Sequence, residues 1–145
     1  MNELIVEANI KNLDKVIDFV NKELEQSPCT PELLGNIDLV VEEVFVNIAH
    51  YAYQPANGMV ALSIAAGEEA VIRFEDTGKP YNPLDYPNPD ITKPLMEREI
   101  GGLGIFFVKT LMDKVEYMRI GNKNVLVITK KLSETGLASF PTRKQ

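Results

Sequence analysis

TPELLGNIDLVVEEVFVNIAHYAY, residues 30–53, predicts the element around which the fold is built, a single long helix. Thr30 can accept a hydrogen bond as the N-cap, and Pro31 suits the first helical position. Glu32 adds a negative charge to the first turn. Apolar residues then recur at helical spacing and mark a core-facing side, which consists of Leu33, Ile37, Val41, Val44, Ile48 and Ala52. The segment is therefore expected to lie against a hydrophobic core.

A second set of residues on this helix is polar and forms one narrow column. Steps of seven, four and three residues return close to the same direction on a helix, and they relate Asn36, Glu43, Asn47 and His50. Such a column is ordinarily a solvated helix face. Here apolar residues flank the column, so the pattern favours the wall of a cleft. His50 is interpreted as a packed, hydrogen-bonded histidine at the edge of that cleft.

Outside the long helix, apolar residues alternate in strand-like runs and recur at helical spacing in two shorter segments. The strand-like runs cover residues 3–10, 59–65, 70–76, 115–120 and 125–132. The shorter helices are predicted at residues 13–26, before Ser27 and Pro28, and directly after residues 101–104. The last four strands pair as two β-hairpins, each joined by a short turn.

The order β-α-α-β-β-loop-α-β-β predicts an α+β fold. We expect a two-layer sandwich in which a mixed, mostly antiparallel sheet carries about three helices on one face. Residues 1–132 are expected to form a single domain. Residues 133–145 are polar and without a pattern, and we expect them to form a frayed tail.

Composition limits the classes of function. The chain has 145 residues, a net charge of −6, one cysteine and one histidine. An acidic chain is a poor partner for nucleic-acid backbones, and no apolar run approaches the ~20 residues that span a bilayer. The first residues lack a signal-peptide pattern, so we expect a cytoplasmic protein without membrane contact. An internal disulfide and a cysteine-based or multi-histidine zinc site are excluded, so any metal must bind oxygen ligands.

A carboxylate ends the strand before the long loop. Asp76 falls on the same strand face as Ile72 and Phe74, and Gly78 follows two residues later. A carboxylate after an apolar face needs a partner. The exocyclic amine of a purine is one candidate, with Gly78 letting the ring approach the backbone. An ordinary Asp-x-Gly turn is the alternative.

A run of glycines stands at the start of the last predicted helix. Gly101, Gly102 and Gly104 lack the lysine and hydroxyl of a Walker A loop and do not form GxGxxG. Free backbone amides and the positive end of the helix dipole would make an anion site there. An ordinary flexible start to a helix remains the alternative. Before this run, residues 79–95 contain five prolines and predict a long loop.

The polar column on the long helix has the chemistry of a phosphoryl-transfer site. Asn47 can offer a neutral amide oxygen to Mg²⁺, which takes its other oxygens from water and substrate phosphates. Glu43, one turn earlier, can accept a proton from an attacking hydroxyl or water near the metal-bound phosphate.

Three segments in a fixed order carry a family resemblance. EEVFVNIAHYAY resembles the N box of the GHKL, or Bergerat-fold, ATPases, EDTGKPYNPL their first glycine box, and REIGGLGIFFVKTLMD their second. The resemblance covers residues 4–132. Within this superfamily the chain resembles the small bacterial serine/threonine kinases that act as anti-sigma factors, together with their regulatory relatives.

The resemblance assigns roles to residues. It implies that Glu43 is the general base, that Asn47 binds Mg²⁺, and that Asp76, beside Gly78, reads the adenine of ATP. Residues 81–99, from Tyr81, would form the lid over ATP. The phosphates would be bound by Gly101, Gly102, Leu103 and Gly104.

Two features depart from the pattern of the superfamily. Many members have a Gly-Thr pair before the last strand that supports the adenine pocket, whereas this chain has GNKNVLVIT, which leaves Thr129 as the candidate substitute. The lid is also unusually rich in proline, and a stiff lid closes differently. The resemblance therefore implies the fold more firmly than it implies tight nucleotide binding.

By this resemblance the protein is an ATP- and Mg²⁺-dependent serine/threonine kinase that phosphorylates an anti-sigma-factor antagonist. A sigma factor is a second expected partner, and the first strand is expected to serve a homodimer or to stay an exposed edge. A nucleotide-gated interaction module with little or no kinase activity is the alternative. A structural protein with degenerate motifs is a third hypothesis, and it predicts no nucleotide-induced stabilisation.

Overall fold

The computed structural model describes residues 2–53, 57–85 and 102–132. Strands β1 to β5 span, in chain order, Asn2–Glu7, Met59–Ala66, Glu69–Asp76, Lys114–Ile120 and Lys123–Lys131. Helices α1 to α3 span Leu13–Leu24, Pro31–Tyr51 and Gly102–Leu111, and short 3-10 turns cover Ile10–Asn12 and Pro83–Asp85. The predicted tail, most of the predicted lid and Gly101 lie outside the described residues.

The strands form one sheet in the order β1-β2-β3-β5-β4, and every described neighbouring pair is antiparallel. The α-helices of the described ranges pack on one face of this sheet, since their buried side chains join the inward side chains of the strands in one core. The predicted α+β two-layer sandwich is confirmed. Within the described ranges, no helix is both long and apolar enough to cross a membrane.

The long helix α2 begins as its sequence predicts. The Thr30 side chain accepts a hydrogen bond of 3.1 Å from the backbone N–H of Leu33, and Pro31 occupies the first helical position. The helix ends at Tyr51, two residues before the predicted end at Tyr53. The carbonyl of Ala52 accepts a hydrogen bond from Lys79 N at 2.9 Å, so the chain after β3 satisfies the end of the helix.

The first strand is also shorter than its sequence pattern predicts. β1 ends at Glu7, because Asn9 caps the short 3-10 turn that follows and accepts a hydrogen bond from Lys11 N at 2.9 Å. The alternation of apolar residues continues to residue 10, but the β-strand ends at Glu7.

Strand β3 connects the core to the site. Its alternate residues point inward, so Ala70, Ile72, Phe74 and Asp76 are all buried. The first three pack into the core, and Phe74 is among its largest fully buried side chains. Asp76 therefore ends a row of apolar residues on the helix-covered face of the sheet, as the alternation predicts.

Candidate functional site

A small cavity lies where the C-terminal half of α2 meets the C-terminal end of β3, the N-terminal end of β5 and the first turns of α3. Its walls include Val44, Asn47 and Ile48 of α2, Phe74 and Asp76 of β3, and Asn124 of β5. Its volume is about 20 Å³, which leaves room for about one water molecule. The walls must therefore separate before any larger ligand can bind there.

Asp76 is buried at the polar end of this cavity, with 5 % of its surface exposed. Its Oδ1 accepts hydrogen bonds of 2.9 Å from the backbone N–H of Gly78 and from Nδ2 of Asn124. The first of these bonds is that of an Asp-x-Gly turn, so the turn that the sequence offered as the alternative to a binding role is present. The same carboxylate also lines the cavity, and the turn and a binding role are therefore compatible.

Asn124 is a site residue that the sequence did not single out. It pairs with Asp76 across β3 and β5 and is 5 % exposed. Besides its bond to Asp76, its Nδ2 donates to the carbonyl of Lys79 at 2.8 Å. Its Oδ1 accepts from Tyr81 N at 3.2 Å, from Arg119 Nη1 at 3.1 Å and from the Tyr117 hydroxyl. The available signal was a polar residue on the inward face of an apolar strand, in line with Leu126 and Ile128.

Thr129 does not take the supporting role that the sequence left open for it. It pairs with Val71, five residues before Asp76 along β3, and with Lys114 of β4. It also lies on the opposite strand face from Asn124, since alternate residues of a strand point to opposite sides. The expectation that Thr129 supports the pocket is therefore wrong, and Asn124 occupies that place.

Gly78 is required by close packing within the protein. A Cβ at this residue would lie 2.2 Å from the carbonyl oxygen of Ala52 and 2.8 Å from its Cβ. The chain leaving β3 thus crosses directly over the C-terminal end of α2. The proximity of a backbone, rather than of a ligand, is what this structure places beside Gly78.

Glu43 and Asn47 face the site from α2. The carboxylate of Glu43 lies against the first turn of α3, because a Cβ on Gly104 would lie 2.2 Å from Glu43 Oε2. Burial raises the pKa of Glu43, and the charge of the neighbouring Glu42 raises it further. Asn47 lines the cavity, and its Nδ2 is buried with no hydrogen-bond partner among the residues described. A carboxyl group with a raised pKa and a buried polar nitrogen without a partner are both typical of functional sites.

Other predicted residues are placed less centrally. His50 is exposed, and its ring contacts that of Tyr51 edge-on at 6.1 Å between centroids, so the packed histidine is not observed. Helix α3 begins at Gly102, which places Gly102, Leu103 and Gly104 in its first turn, as predicted.

The beginning of the predicted lid closes the cavity. Tyr81 stacks on Tyr51 of α2, with ring centroids 5.4 Å apart and planes inclined by 28°. Pro83 is buried and, like Tyr81, lines the cavity. Asn82 stabilises the following turn by accepting a hydrogen bond of 2.9 Å from Leu84 N. This anchored segment forms one wall of the cavity.

Comparison with known proteins agrees with the resemblance in the motifs. Residues 6–130 match the family described as the histidine kinase-like ATPase domain. A serine-protein kinase RsbW from Halalkalibacterium halodurans is 33 % identical over 102 residues, which cover 67 % of this chain. The chain covers 62 % of that relative, so it spans less than two thirds of the relative's length.

Solved structures resemble the chain in fold. The RsbU and RsbW domains of Rv1364c from Mycobacterium tuberculosis match with a TM-score of 0.59 at 14 % identity, over 91 % of this chain and 33 % of that one. The histidine kinase domain of a blue-light activated kinase from Erythrobacter litoralis matches with a TM-score of 0.54 at 22 % identity, over 86 % of this chain and 61 % of that one. At such identities the likeness establishes the fold alone.

Replacing Gly78 by alanine tests the crossing of β3 over α2. We expect Gly78→Ala to lower the free energy of unfolding by about 1–3 kcal/mol, because the new methyl group overlaps the backbone of Ala52. Gly35→Ala is the control, since a Cβ there meets nothing and alanine favours the helix by about 0.5–1 kcal/mol. Urea unfolding followed by circular dichroism measures both. A Gly78→Ala variant as stable as the parent would contradict the packing described.

Proposed function

Because this chain belongs to the family of histidine kinase-like ATPase domains, we propose that it binds ATP at the cavity between α2, β3 and α3. We propose further that it transfers the γ-phosphoryl group to a serine or threonine hydroxyl of another protein. The observation that carries this proposal is the contact between the Glu43 carboxylate and the first turn of α3, beside a cavity lined by Asn47 and Asp76. By this proposal, a proton acceptor, a metal ligand and a base-reading carboxylate share one site.

The adenine is assigned to the cavity. Asp76 would accept a hydrogen bond from the exocyclic amine, while Val44, Ile48 and Phe74 offer apolar contacts to the ring. The two hydrogen bonds to Asp76 Oδ1 hold the carboxylate in place. Because the cavity is small, binding requires Tyr81 and Pro83 to move outward.

Asn47 is the residue proposed to hold Mg²⁺. Its amide lines the cavity, and the amide oxygen would be the ligand. The amide nitrogen, which is buried without a partner in the described ranges, cannot bind a cation and would instead donate to an oxygen of the bound nucleotide. No three side chains of histidine, cysteine, aspartate or glutamate lie close enough to hold a metal ion in the described part of the chain. The remaining ligands would therefore be phosphate oxygens and water. When bound, Mg²⁺ neutralises phosphate charge.

The start of α3 is proposed to bind the phosphates. The first turn of this helix has backbone N–H groups without intrahelical partners, and the positive end of the helix dipole lies there. Gly102, Leu103 and Gly104 form that turn. Gly101, which lies outside the described residues, is proposed as a further phosphate-binding residue from its place in the sequence. A glycine at residue 104 also leaves room for the Glu43 carboxylate beside the phosphates.

Glu43 is proposed as the general base. The hydroxyl oxygen of the substrate forms a bond to the γ-phosphorus as the bond to the β,γ-bridging oxygen breaks, and ADP leaves with that oxygen. The proton of the hydroxyl passes to the carboxylate of Glu43. A raised pKa suits this role, because it brings the base closer to the pH at which the reaction runs.

We propose that the substrate is an anti-sigma-factor antagonist and that a sigma factor is a second partner. The support is the relative from Halalkalibacterium halodurans, which is named a serine-protein kinase RsbW. A cytoplasmic location accompanies that role. Strand β1 forms an edge of the described sheet and leaves Ile5 58 % exposed, which supports a homodimer through this edge.

The kinase proposal is tested by replacing the general base. Glu43→Gln is expected to lower phosphoryl transfer to the antagonist by about 10²-fold or more, because the hydroxyl loses its proton acceptor. Transfer is measured as phosphoserine or phosphothreonine by mass spectrometry, with Mg²⁺ and ATP present. Glu42→Gln is the matched control, since Glu42 is exposed and points elsewhere. Both variants are compared at a pH well above the acid limb, where the effect of Glu42 on the pKa of Glu43 does not alter the rate. Bound ATP and bound antagonist without any transfer by the parent would favour the nucleotide-gated module instead.

The pH dependence of transfer tests the state of the base. Transfer requires Glu43 deprotonated, so the rate is retained above its pKa and lost as the pH falls through it. Because burial and then Glu42 raise this pKa above its ordinary value near 4.5, we expect the acid limb of kcat/KM to lie at a higher pH than that value. Glu42→Gln removes the second cause and should move the limb to lower pH. A limb that moves upward would contradict the assignment.

Gly104→Ala tests the contact between Glu43 and α3. The added Cβ would lie 2.2 Å from Glu43 Oε2, so the carboxylate has to move. Because the carboxylate ends a flexible side chain and alanine favours a helix, we expect an unchanged or higher melting temperature. Phosphoryl transfer is expected to fall by about 10²-fold through the misplaced base. Gly67→Ala is the control, since its Cβ meets nothing. Unchanged transfer by Gly104→Ala would contradict the proposal that Glu43 acts as the general base from this position.

A further inference from the structure

Asn124 joins three parts of the chain through one buried amide. Its nitrogen donates to Asp76 at the end of β3 and to the carbonyl of Lys79 beyond it. Its oxygen accepts from the backbone of Tyr81, at the start of the predicted lid, and from Arg119 and the hydroxyl of Tyr117 on β4. The side chain is 5 % exposed, so these contacts are made largely away from water.

We infer that Asn124 is a positioning residue that fixes the Asp76 carboxylate and, at the same time, the backbone of residues 79–81 at the rim of the cavity. This inference rests on the proposed binding of ATP at that cavity. Asn124 has no part in the chemistry and acts through Asp76 and the rim.

The chemistry of the amide explains why one residue serves both elements. An asparagine carries two N–H donors and an oxygen with two lone pairs on a flat, rigid group. In this site both donors meet oxygen acceptors, on Asp76 and Lys79, and the oxygen meets only donors. Rotating the amide by half a turn would place donors against donors, so only one orientation satisfies the site. A serine hydroxyl has one donor and cannot hold both oxygens together.

This arrangement has a consequence for base selection. The Asn124 donor and the Gly78 N–H engage one oxygen of Asp76 and hold the plane of the carboxylate. An ionised carboxylate offers only lone pairs to a base, and these two bonds fix the direction in which the lone pairs point. An amine at the six position of a purine is accepted, whereas a carbonyl at that position meets another acceptor. Asp76 therefore provides the preference for adenine over hypoxanthine, and the preference is expected to depend on Asn124 because Asn124 holds the carboxylate in the orientation that meets the amine.

Two substitutions separate the positioning of the Asp76 carboxylate from the positioning of residues 79–81. Asn124→Asp keeps the shape and the accepting oxygen but removes both donors, and it sets a second carboxylate beside Asp76. Asn124→Leu removes the donors and the acceptor. Asn122→Asp and Asn122→Leu are the matched controls, because Asn122 is exposed in the turn of the same hairpin.

The first measurement is the ratio of the affinities for ADP and IDP, by isothermal titration at about pH 8. The parent is expected to prefer ADP by about tenfold or more, the ratio that a hydrogen bond to a charged group supports. Both Asn124 variants are expected to lose this preference, and both Asn122 variants to keep it. A merely structural role would lower both affinities and leave their ratio unchanged.

The second measurement is hydrogen exchange of the Tyr81 amide in nucleotide-free protein. Asn124→Leu removes its acceptor, so exchange is expected to be about tenfold faster or more. Asn124→Asp keeps the accepting oxygen for Tyr81 N but loses the bond to the Lys79 carbonyl, so its exchange is expected to be faster than that of the parent and slower than that of Asn124→Leu. If Asn124→Leu fails to fold, Asn124→Asp still decides the positioning of Asp76 through the affinity ratio. Tyr81 exchange in Asn124→Asp equal to that of the parent would then contradict the positioning of residues 79–81.

The outcomes distinguish this inference from the proposed function. A parent that binds neither ADP nor IDP overturns the nucleotide proposal, while the exchange measurement still decides whether Asn124 holds the rim. A parent that prefers ADP, with an Asn124→Asp variant of equal preference, overturns the positioning of Asp76 and leaves the proposed function intact. Equal Tyr81 exchange in the parent and in Asn124→Leu overturns the role at the rim.

Discussion

The chain leaving β3 lies directly on the last turn of α2, and the site depends on this contact. Gly78 has no side chain, so its backbone reaches the carbonyl of Ala52, and the N–H of Lys79 satisfies that carbonyl at 2.9 Å. The end of a strand is thereby fixed to the end of a helix. Asp76 of the strand and Asn47 of the helix consequently line one cavity, although 28 intervening residues separate them in the sequence.

The polar groups at this cavity differ in how far the protein satisfies them. Asp76 and Asn124 are buried but form hydrogen bonds to each other and to the nearby backbone, which offsets the cost of their burial. Asn47 has a buried nitrogen that no described residue bonds, and Glu43 has a raised pKa. In the proposed function, Asp76 and Asn124 would form a fixed reader of the base, the amide oxygen of Asn47 would bind the metal, and the carboxylate of Glu43 would accept the proton.

Local patterns in the sequence predicted the elements that carry most of the site. The cap and period of α2, the inward alternation of β3 and the glycines of α3 depend on neighbouring residues, and the structure confirms the α+β sandwich that they imply. The family match over residues 6–130 confirms the resemblance in the motifs. Glu43 and Gly104 meet in space, as do Asn47 and Asp76, in agreement with a shared site.

What the sequence did not predict depends on register and on contacts between distant segments. Asn124 faces Asp76 only because β5 pairs with β3 in one particular register, and Thr129 was the wrong candidate because it lies five residues away along the same pairing. The end of α2 was placed too late, since the hydrogen bond from Lys79 that ends the helix comes from a distant loop. His50 belongs to the polar column, but the sequence does not show which residues pack around it, and its side chain is exposed instead of packed.

The central claim is that the cavity beside Asp76 binds the adenine of ATP, and equilibrium titration with Mg²⁺ and ADP tests it most directly. If adenine binds there, the parent protein binds ADP saturably, and the affinity is at least about tenfold lower for Asp76→Asn, which keeps the shape of the side chain but loses its charge. Melting temperatures of the two free proteins would confirm that both are folded. Absence of binding by the parent, or equal affinity of the folded Asp76→Asn variant, would contradict the account.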